Sequence, residues 1–178
     1  MRMGYMALLA ALGLGGCASM QPQDFASGTP SMALQDYFPG HSTAQGIFID
    51  RFGTVRNQFT VDCDGSWDGT TLTLDEHFTY VGGAHGQITH RVWHFHQTAP
   101  HHWVGTAGDV IGDAVATQYG NVFHMNYVTD LKTGSSSYRV AVSDWLFRES
   151  PTVVLNHTII SKLGVELGQV QIAFVHAS

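Results

Sequence analysis

Charged residues are scarce in this 178-residue chain, where they make up 12% of the sequence, about half of the share usual in soluble proteins. Basic residues are the scarcer kind: eight Lys and Arg stand against 14 Asp and Glu, which leaves a net charge of −6. A surface that follows nucleic-acid phosphates needs clustered basic side chains. The composition therefore excludes a basic nucleic-acid-binding protein, and we expect no nucleic-acid partner.

Cysteine and proline are also rare, with two and five residues respectively. One of the two cysteines, Cys17, belongs to the lipid-anchor motif described below. Cys63 therefore has no partner for an internal disulfide, and a disulfide scaffold is excluded. Few prolines together with 20 glycines favour many tight turns between strands. With 44% hydrophobic residues, the chain can bury one sizeable core, and its length predicts a single domain.

The N-terminal apolar run, residues 5–14, is too short for a helix that crosses about 30 Å of hydrocarbon. Its length and the preceding Arg2 are typical of a signal peptide. The run ends in Leu14-Gly15-Gly16-Cys17, which resembles the lipobox of bacterial lipoproteins. The alternative is an ordinary secretory signal with a coincidental cysteine.

The lipobox resemblance implies a signal peptide at residues 1–16 and acylation of Cys17 with a diacylglyceryl group and a further fatty acid such as palmitate. Acyl chains anchor a protein through about 0.8 kcal/mol for each buried methylene. The residue after the cysteine is Ala18 and not an Asp. By resemblance to the sorting rule of bacterial lipoproteins, this implies delivery to the periplasmic face of the outer membrane. We therefore expect a membrane partner through Cys17, a polar tether at 17–33 and one domain at 34–178.

The rest of the chain alternates apolar and polar residues with period two, and no long window after the leader shows a helical period. Short glycine- and asparagine-containing turns separate the runs. About ten consecutive antiparallel strands hide their edges best by closing. We therefore predict an all-β, lipocalin-like up-and-down barrel, with a β-sandwich as the second choice. The predicted strands are 46–52, 57–64, 70–80, 87–98, 102–109, 114–119, 122–129, 137–147, 152–161 and 166–176.

Three charged residues fall on otherwise apolar strand faces. Glu76 shares its face with leucines and aromatic residues, Arg91 with Trp93 and Phe95, and Asp144 with valines and Leu146. A hairpin that turns between the first two strands would bring Arg91 towards Glu76. Since a charge buried without a partner costs several kcal/mol, we expect these side chains to be paired.

Three interpretations of these inward charges stay open. They form an internal ion-pair network that fixes the strand register, or they form a polar patch at the bottom of an apolar lumen. In the second case Arg91 would grip a carboxylate or phosphate of the ligand, while Glu76 and Asp144 orient it. In the third, Glu76 is a general base with a raised pKa.

Histidines are unusually frequent, and seven of the 11 lie between His77 and His102. His94 and His96 have the spacing that lets two imidazoles share a metal ion, with His77 or Asp75 across the hairpin. Their strand face is opposite that of Arg91, however, so we expect an exposed, solvated cluster and predict neither a metal site nor a cofactor.

Several motifs resemble a family of exported bacterial lipoproteins that carry a domain of unknown function. The resemblance covers residues 36–175 and implies a membrane-tethered, β-rich protein, whose genes often lie near cyclopropane-fatty-acid-synthase-like genes. Where that family often has acidic pairs, this chain has Val81-Gly82 and single aspartates before Val110 and Trp145. The motifs are Asp50-Arg51-Phe52-Gly53, Leu72-x-Leu74-x-Glu76-x-Phe78-x-Tyr80, Arg91-x-Trp93, Gly105-x-Ala107-x-Asp109-Val110-x-Gly112-x-Ala114, Gly120-Asn121, Asp144-Trp145, Asn156 and Lys162-x-Gly164.

These observations together predict a non-enzymatic, membrane-anchored lipoprotein whose barrel binds or carries a hydrophobic ligand, such as a fatty-acyl chain or a modified lipid. The alternatives are a lipid-modifying enzyme that uses Glu76 or Asp109 with Arg91, and a structural envelope component with a filled barrel. The sequence leaves the oligomeric state open. The predicted ligand-binding residues are Glu76, Arg91, Trp93, Asp109, Asn121, Asp144 and Trp145.

Overall fold

Ten antiparallel strands close into a barrel in the computed structural model, which describes residues 19–84, 87–133 and 136–176. The all-β prediction and the up-and-down order are confirmed, because every strand pairs with its neighbours along the chain and the first pairs with the last. The signal peptide predicted at 1–16 and the predicted lipid site Cys17 lie outside the described residues. No helix in the described part of the chain is long and apolar enough to cross a membrane. The strands are β1 (Gly40–Asp50), β2 (Val55–Trp67), β3 (Thr71–Tyr80), β4 (His90–Ala99), β5 (His102–Ala107), β6 (Ala114–Tyr119), β7 (Val122–Thr133), β8 (Ser136–Arg148), β9 (Val153–Lys162) and β10 (Val165–His176).

The closing seam between β1 and β10 runs in continuous register from Ser42 opposite His176 to Asp50 opposite Gly168. Alternate residues of each strand point into the barrel, as the period-two pattern predicts. Cys63 is one of them, fully buried and without a disulfide partner.

One end of the barrel, where β1 begins, is closed by a plug that we define as residues 32–38. The plug contains a short helix, α1 (Leu34–Tyr37), and its apolar side chains are almost completely buried. The Tyr37 hydroxyl donates a hydrogen bond to the Phe174 carbonyl at 3.1 Å, and the Phe38 ring meets the Phe174 ring edge-on. Only a glycine fits at position 65, since a Cβ there would lie 1.9 Å from the Phe38 carbonyl oxygen. We call this half of the barrel the closed half.

The segment at 19–33 is packed against the barrel, although its polar composition predicts a tether. It forms a 3-10 helix, Pro22–Phe25, and the Phe25 ring contacts Trp145 and Phe147 on the outside of β8. The Met32 amide then donates a hydrogen bond to the Gly120 carbonyl at 2.8 Å. Contacts of single residues, the Phe25 ring and the Met32 amide, hold this segment, and such isolated contacts leave no periodic pattern in the sequence.

The opposite end, where β1 ends and β2 begins, forms the open half. Its inward residues surround a cavity of about 480 Å³ that extends from the rim at Arg56, Asn57 and Lys132 down to Leu34 and Phe38 of the plug. The same alternation therefore builds a tightly packed interior at one end of the barrel and a hollow one at the other.

Candidate functional site

The inward charges of β3 and β4 are direct neighbours in the open half. Glu76 of β3 is paired in register with Arg91 of β4, so the hairpin brings the two residues together as the sequence predicts. Both side chains line the cavity, as does Trp93, whose ring lies 5.5 Å from the Arg91 guanidinium carbon. The sequence prediction of an inward-facing Glu76 and Arg91 is confirmed in these positions.

Arg91 makes its ion pair with Asp109, not with Glu76. Its Nε donates to Asp109 Oδ1 at 3.1 Å and its Nη2 donates to Asp109 Oδ2 at 2.6 Å, a bidentate arrangement. Asp109 lies in the loop after β5, and Thr129 of β7 fixes it by donating a hydrogen bond to its carbonyl at 2.7 Å. The adjacent Val110 forms a β-bridge with Thr129. Tertiary contacts therefore carry Asp109 to the guanidinium.

Glu76 is buried, with 7% of its surface exposed, and makes no hydrogen bond or ion pair within the described residues. Burial raises its pKa to about 7, and Asp144 and Asp109 act in the same direction, whereas the positive charge of Arg91 lowers it. A carboxyl group in this position changes its protonation state near neutral pH. It is the least satisfied polar group of the cluster.

Asp144 of β8 is held by a small hydrogen-bond network on β9. Its Oδ1 accepts a bond from the Asn156 amide and another from the Thr158 hydroxyl, the latter at 2.8 Å. Burial raises the pKa of Asp144, while the two hydrogen bonds favour the charged form and lower it. Asp144, Asn156 and Thr158 all line the cavity. We call Glu76, Arg91, Asp109 and Asp144 the polar cluster.

Apolar side chains line most of the remaining cavity wall. They come from eight of the ten strands, β1 to β4 and β7 to β10, so a chain-like molecule in the cavity would meet hydrocarbon along most of the barrel wall. Tyr127 adds a hydroxyl group among them, and burial raises its pKa. The main apolar lining residues are Phe48, Phe59, Val61, Leu74, Phe78, Phe95, Phe123, Met125, Val140, Val142, Leu146, Ile160, Val170, Ile172 and Phe174.

Two of the predicted ligand-binding residues lie away from the cavity. Asn121 sits in the turn between β6 and β7 in the closed half, where its side-chain amide approaches the Arg148 carbonyl. Trp145 faces outwards from β8, stacked on His124 with the ring centroids 4.0 Å apart and covered by Phe25. Strand alternation already separates Trp145 from its neighbour Asp144, because adjacent residues point to opposite faces.

Four buried polar residues of the cavity wall are missing from the predicted ligand-binding residues: Tyr127, Thr129, Asn156 and Thr158. Each lies on the inward face of its strand, so the alternation pattern contains the signal that places them. Because these side chains carry no charge, they are a weaker signal on an apolar strand face than Glu76 or Arg91.

The outer face of β3 and β4 carries the exposed histidines. His77 and His90 are cross-strand partners with stacked rings, and the Nε2 atoms lie 3.2 Å and 2.7 Å from Asp75 Oδ1. Asp75, His77 and His90 form the one group in the described residues whose ligand atoms come close enough together to hold a metal ion. His94 and His96 lie on the same outer face but outside this group.

The fold and the cavity define a class: an all-β protein with a closed ten-stranded barrel, one plugged end and a polar cluster inside the other half. The family described as "Protein of unknown function (DUF3833)" matches residues 11–176, and the chain belongs to this family. No curated protein matches the chain.

Proposed function

We propose that the barrel binds a hydrophobic ligand, such as a fatty-acyl chain or a modified lipid, in the cavity of its open half. The observation that carries this proposal is the cavity itself. Its volume of about 480 Å³ falls within the range of ligand sites, and its lining combines apolar walls with a few convergent polar groups. A filled barrel, as expected of a purely structural component, would have packed this space with side chains.

The apolar walls supply the affinity that such a ligand needs. Each methylene transferred from water into the cavity contributes about 0.8 kcal/mol, so a chain of ten carbons gains roughly 8 kcal/mol before the entropy of immobilisation is subtracted. The polar cluster lies along the same cavity and offers the groups that orient a ligand. Different residues thus recognise the length of the ligand's apolar chain and the position of its polar group.

A membrane anchor at Cys17 would place the binding site in the bacterial envelope. Ser19 is two residues further on and precedes the 3-10 helix, whose Phe25 packs on the closed-half end of β8. An acylated Cys17 would therefore hold the closed half nearer to the membrane than the open half. We expect Cys17→Ser to block acylation and move the folded protein out of the membrane fraction, and mass spectrometry that finds an unmodified Cys17 in the processed wild-type chain would contradict the anchor.

A cavity-filling substitution tests the proposed ligand site. Val142 is buried and lines the cavity, so Val142→Phe should reduce the affinity for an alkyl chain at least ten-fold by occupying its volume. The matched control is Val115→Phe on the outer face of β6, where 60% of the side chain is exposed. Calorimetric titration with decanol measures both. Equal affinities in the two variants would contradict binding in the cavity, provided that circular dichroism shows both to be folded.

A lipid-modifying enzyme is the second candidate, and Glu76 is the observation that favours it. A buried carboxyl group without a hydrogen-bond partner and with a pKa of about 7 has the properties of a general base that works near neutral pH. Asp109 is less suited to that role, because both of its oxygens are engaged by Arg91. If Glu76 is catalytic, Glu76→Gln changes the lipid composition of the envelope while the protein level stays constant. An unchanged composition contradicts catalysis and leaves ligand binding in place.

A further inference from the structure

Arg91 is not available to an anionic ligand in the way that its position alone suggests. Its Nε and one terminal nitrogen already bind both oxygens of Asp109, at 3.1 Å and 2.6 Å. Asp109 is fixed in turn by Thr129, so an incoming carboxylate would have to displace an organised internal partner. The guanidinium therefore serves the protein's own carboxylate.

Glu76 differs from Arg91, because its carboxylate is a hydrogen-bond acceptor that is paired with no donor within the described residues. It is 93% buried, lines the cavity, and has no hydrogen-bond or ion-pair partner in the described part of the chain. Unpaired carboxylates are costly to bury, so a ligand that supplies a donor at this point gains more than the same donor would gain in water. A ligand in the cavity that carries a hydrogen-bond donor would therefore gain an acceptor in the Glu76 carboxylate.

The charge balance inside the cavity also favours a ligand that supplies hydrogen-bond donors and no negative charge. The polar cluster contains three carboxyl groups, Glu76, Asp109 and Asp144, against the single guanidinium of Arg91. The cations at the rim do not reverse this balance, since Arg56 is held by Asp50 at 2.5 Å and Lys132 is exposed. An additional carboxylate or phosphate beside Glu76 would add a further negative charge to an acidic site.

We propose that the cavity selects a ligand whose apolar chain carries a positively charged amine, with the ammonium group placed against Glu76, and that it discriminates against the carboxylate of equal length. This proposal rests on the proposed function, since it names the polar group of the ligand that the apolar cavity binds. An ammonium group donates up to three hydrogen bonds and accepts none, which complements an acidic cluster with an unpartnered acceptor. An alkylamine remains protonated at pH 7.5, because its pKa is close to that of Lys, about 10.4.

Three probes with the same ten-carbon chain separate the polar group from the chain: decylamine, decanoate and decanol. Calorimetric titration of the purified mature protein, freed of co-purified lipid, is carried out at pH 7.5. We expect decylamine to bind at least ten-fold more tightly than decanoate, with decanol between them. Glu76→Gln should weaken decylamine at least ten-fold and leave decanol within two-fold. Glu166→Gln is the matched control, because Glu166 is exposed at the start of β10, and it should change none of the three affinities.

The outcomes distinguish this inference from the function on which it rests. Decanoate that binds as tightly as decylamine overturns the inference, and so does a decylamine affinity that Glu76→Gln leaves unchanged. In both cases, binding of decanol that Val142→Phe weakens still supports a hydrophobic ligand site. If none of the three probes binds, the proposed function itself fails.

Discussion

The two halves of the barrel are built from the same alternating strands and use them differently. In the closed half, large side chains such as Trp103 and Leu72 are almost fully buried and belong to the same hydrophobic core as the apolar residues of the plug. In the open half, inward positions carry Glu76, Arg91 and Asp144 around a cavity. The comparison shows that the pattern of apolar residues determines the barrel, whereas the exceptions to the pattern determine the site.

The difference is also one of energy. Packing of apolar side chains stabilises the closed half, while the open half contains a buried carboxyl group without a partner, which opposes folding. A group that destabilises the folded state and lies beside a cavity is typical of a functional site. Removing the Trp103 side chain from the closed half and neutralising Glu76 in the open half should therefore change stability in opposite directions.

The largest effect is expected from Trp103→Ala in the closed half. Trp103 is 2% exposed and packs near the rings of Trp67 and Phe123, so its removal leaves a large cavity and should lower the free energy of unfolding by about 4 kcal/mol. Urea denaturation measures this loss. A decrease below about 1 kcal/mol would show that the closed half is not the stabilising half of the molecule.

The second effect concerns the ion pair of the open half. Arg91→Met leaves Asp109 without its cation in a largely buried position and should cost about 3 kcal/mol of stability. Adding Asp109→Leu should recover most of that loss, because the uncompensated charge of Asp109 is then removed. The control is Arg139→Met at the exposed pair of Arg139 and Asp130, where the cost should stay below about 1 kcal/mol. Equal losses at the two pairs would contradict the assignment of a buried cluster.

The third effect is a gain in stability, and it depends on pH. The pKa of Glu76 is about 7 in the folded protein against an ordinary value of 4.5, so the folded state binds the proton more strongly. Stability therefore falls as the pH rises from about 4.5 to 7, and Gln at this position removes that loss. Relative to wild type, Glu76→Gln should gain about 2 to 3 kcal/mol between pH 5 and pH 8 in urea denaturation. A difference that does not vary with pH would mean that Glu76 is not a neutral, buried carboxyl group at low pH.

Much of the fold was predictable because strand alternation is a local property. The ten predicted strands correspond to the ten observed ones, and the inward positions of Glu76, Arg91 and Asp144 follow from the same period. The pairing of Arg91 with Asp109 was not predictable in this way. Asp109 lies in a loop, and the bridge between Val110 and Thr129, together with the Thr129 hydroxyl bond to Asp109, brings it to the guanidinium.

The N-terminal segment and Trp145 show a second limit of local reasoning. Residues 19–33 contain few apolar side chains, yet Phe25 among them covers the outward-facing Trp145. Trp145 is consequently buried outside the barrel rather than in its lumen. Contacts that depend on one residue from a distant segment leave no periodic trace in the sequence.

The central claim is that the open half holds a hydrophobic ligand, and native mass spectrometry of the protein extracted from the envelope tests it most directly. The account predicts that the wild-type protein carries an additional mass that corresponds to a non-covalent lipid with an alkyl chain. The same adduct should be absent from Val142→Phe, which fills the cavity, and present in Val115→Phe. A wild-type spectrum that contains only the mass of the processed chain, together with no measurable affinity for decylamine, decanoate or decanol, would contradict the account.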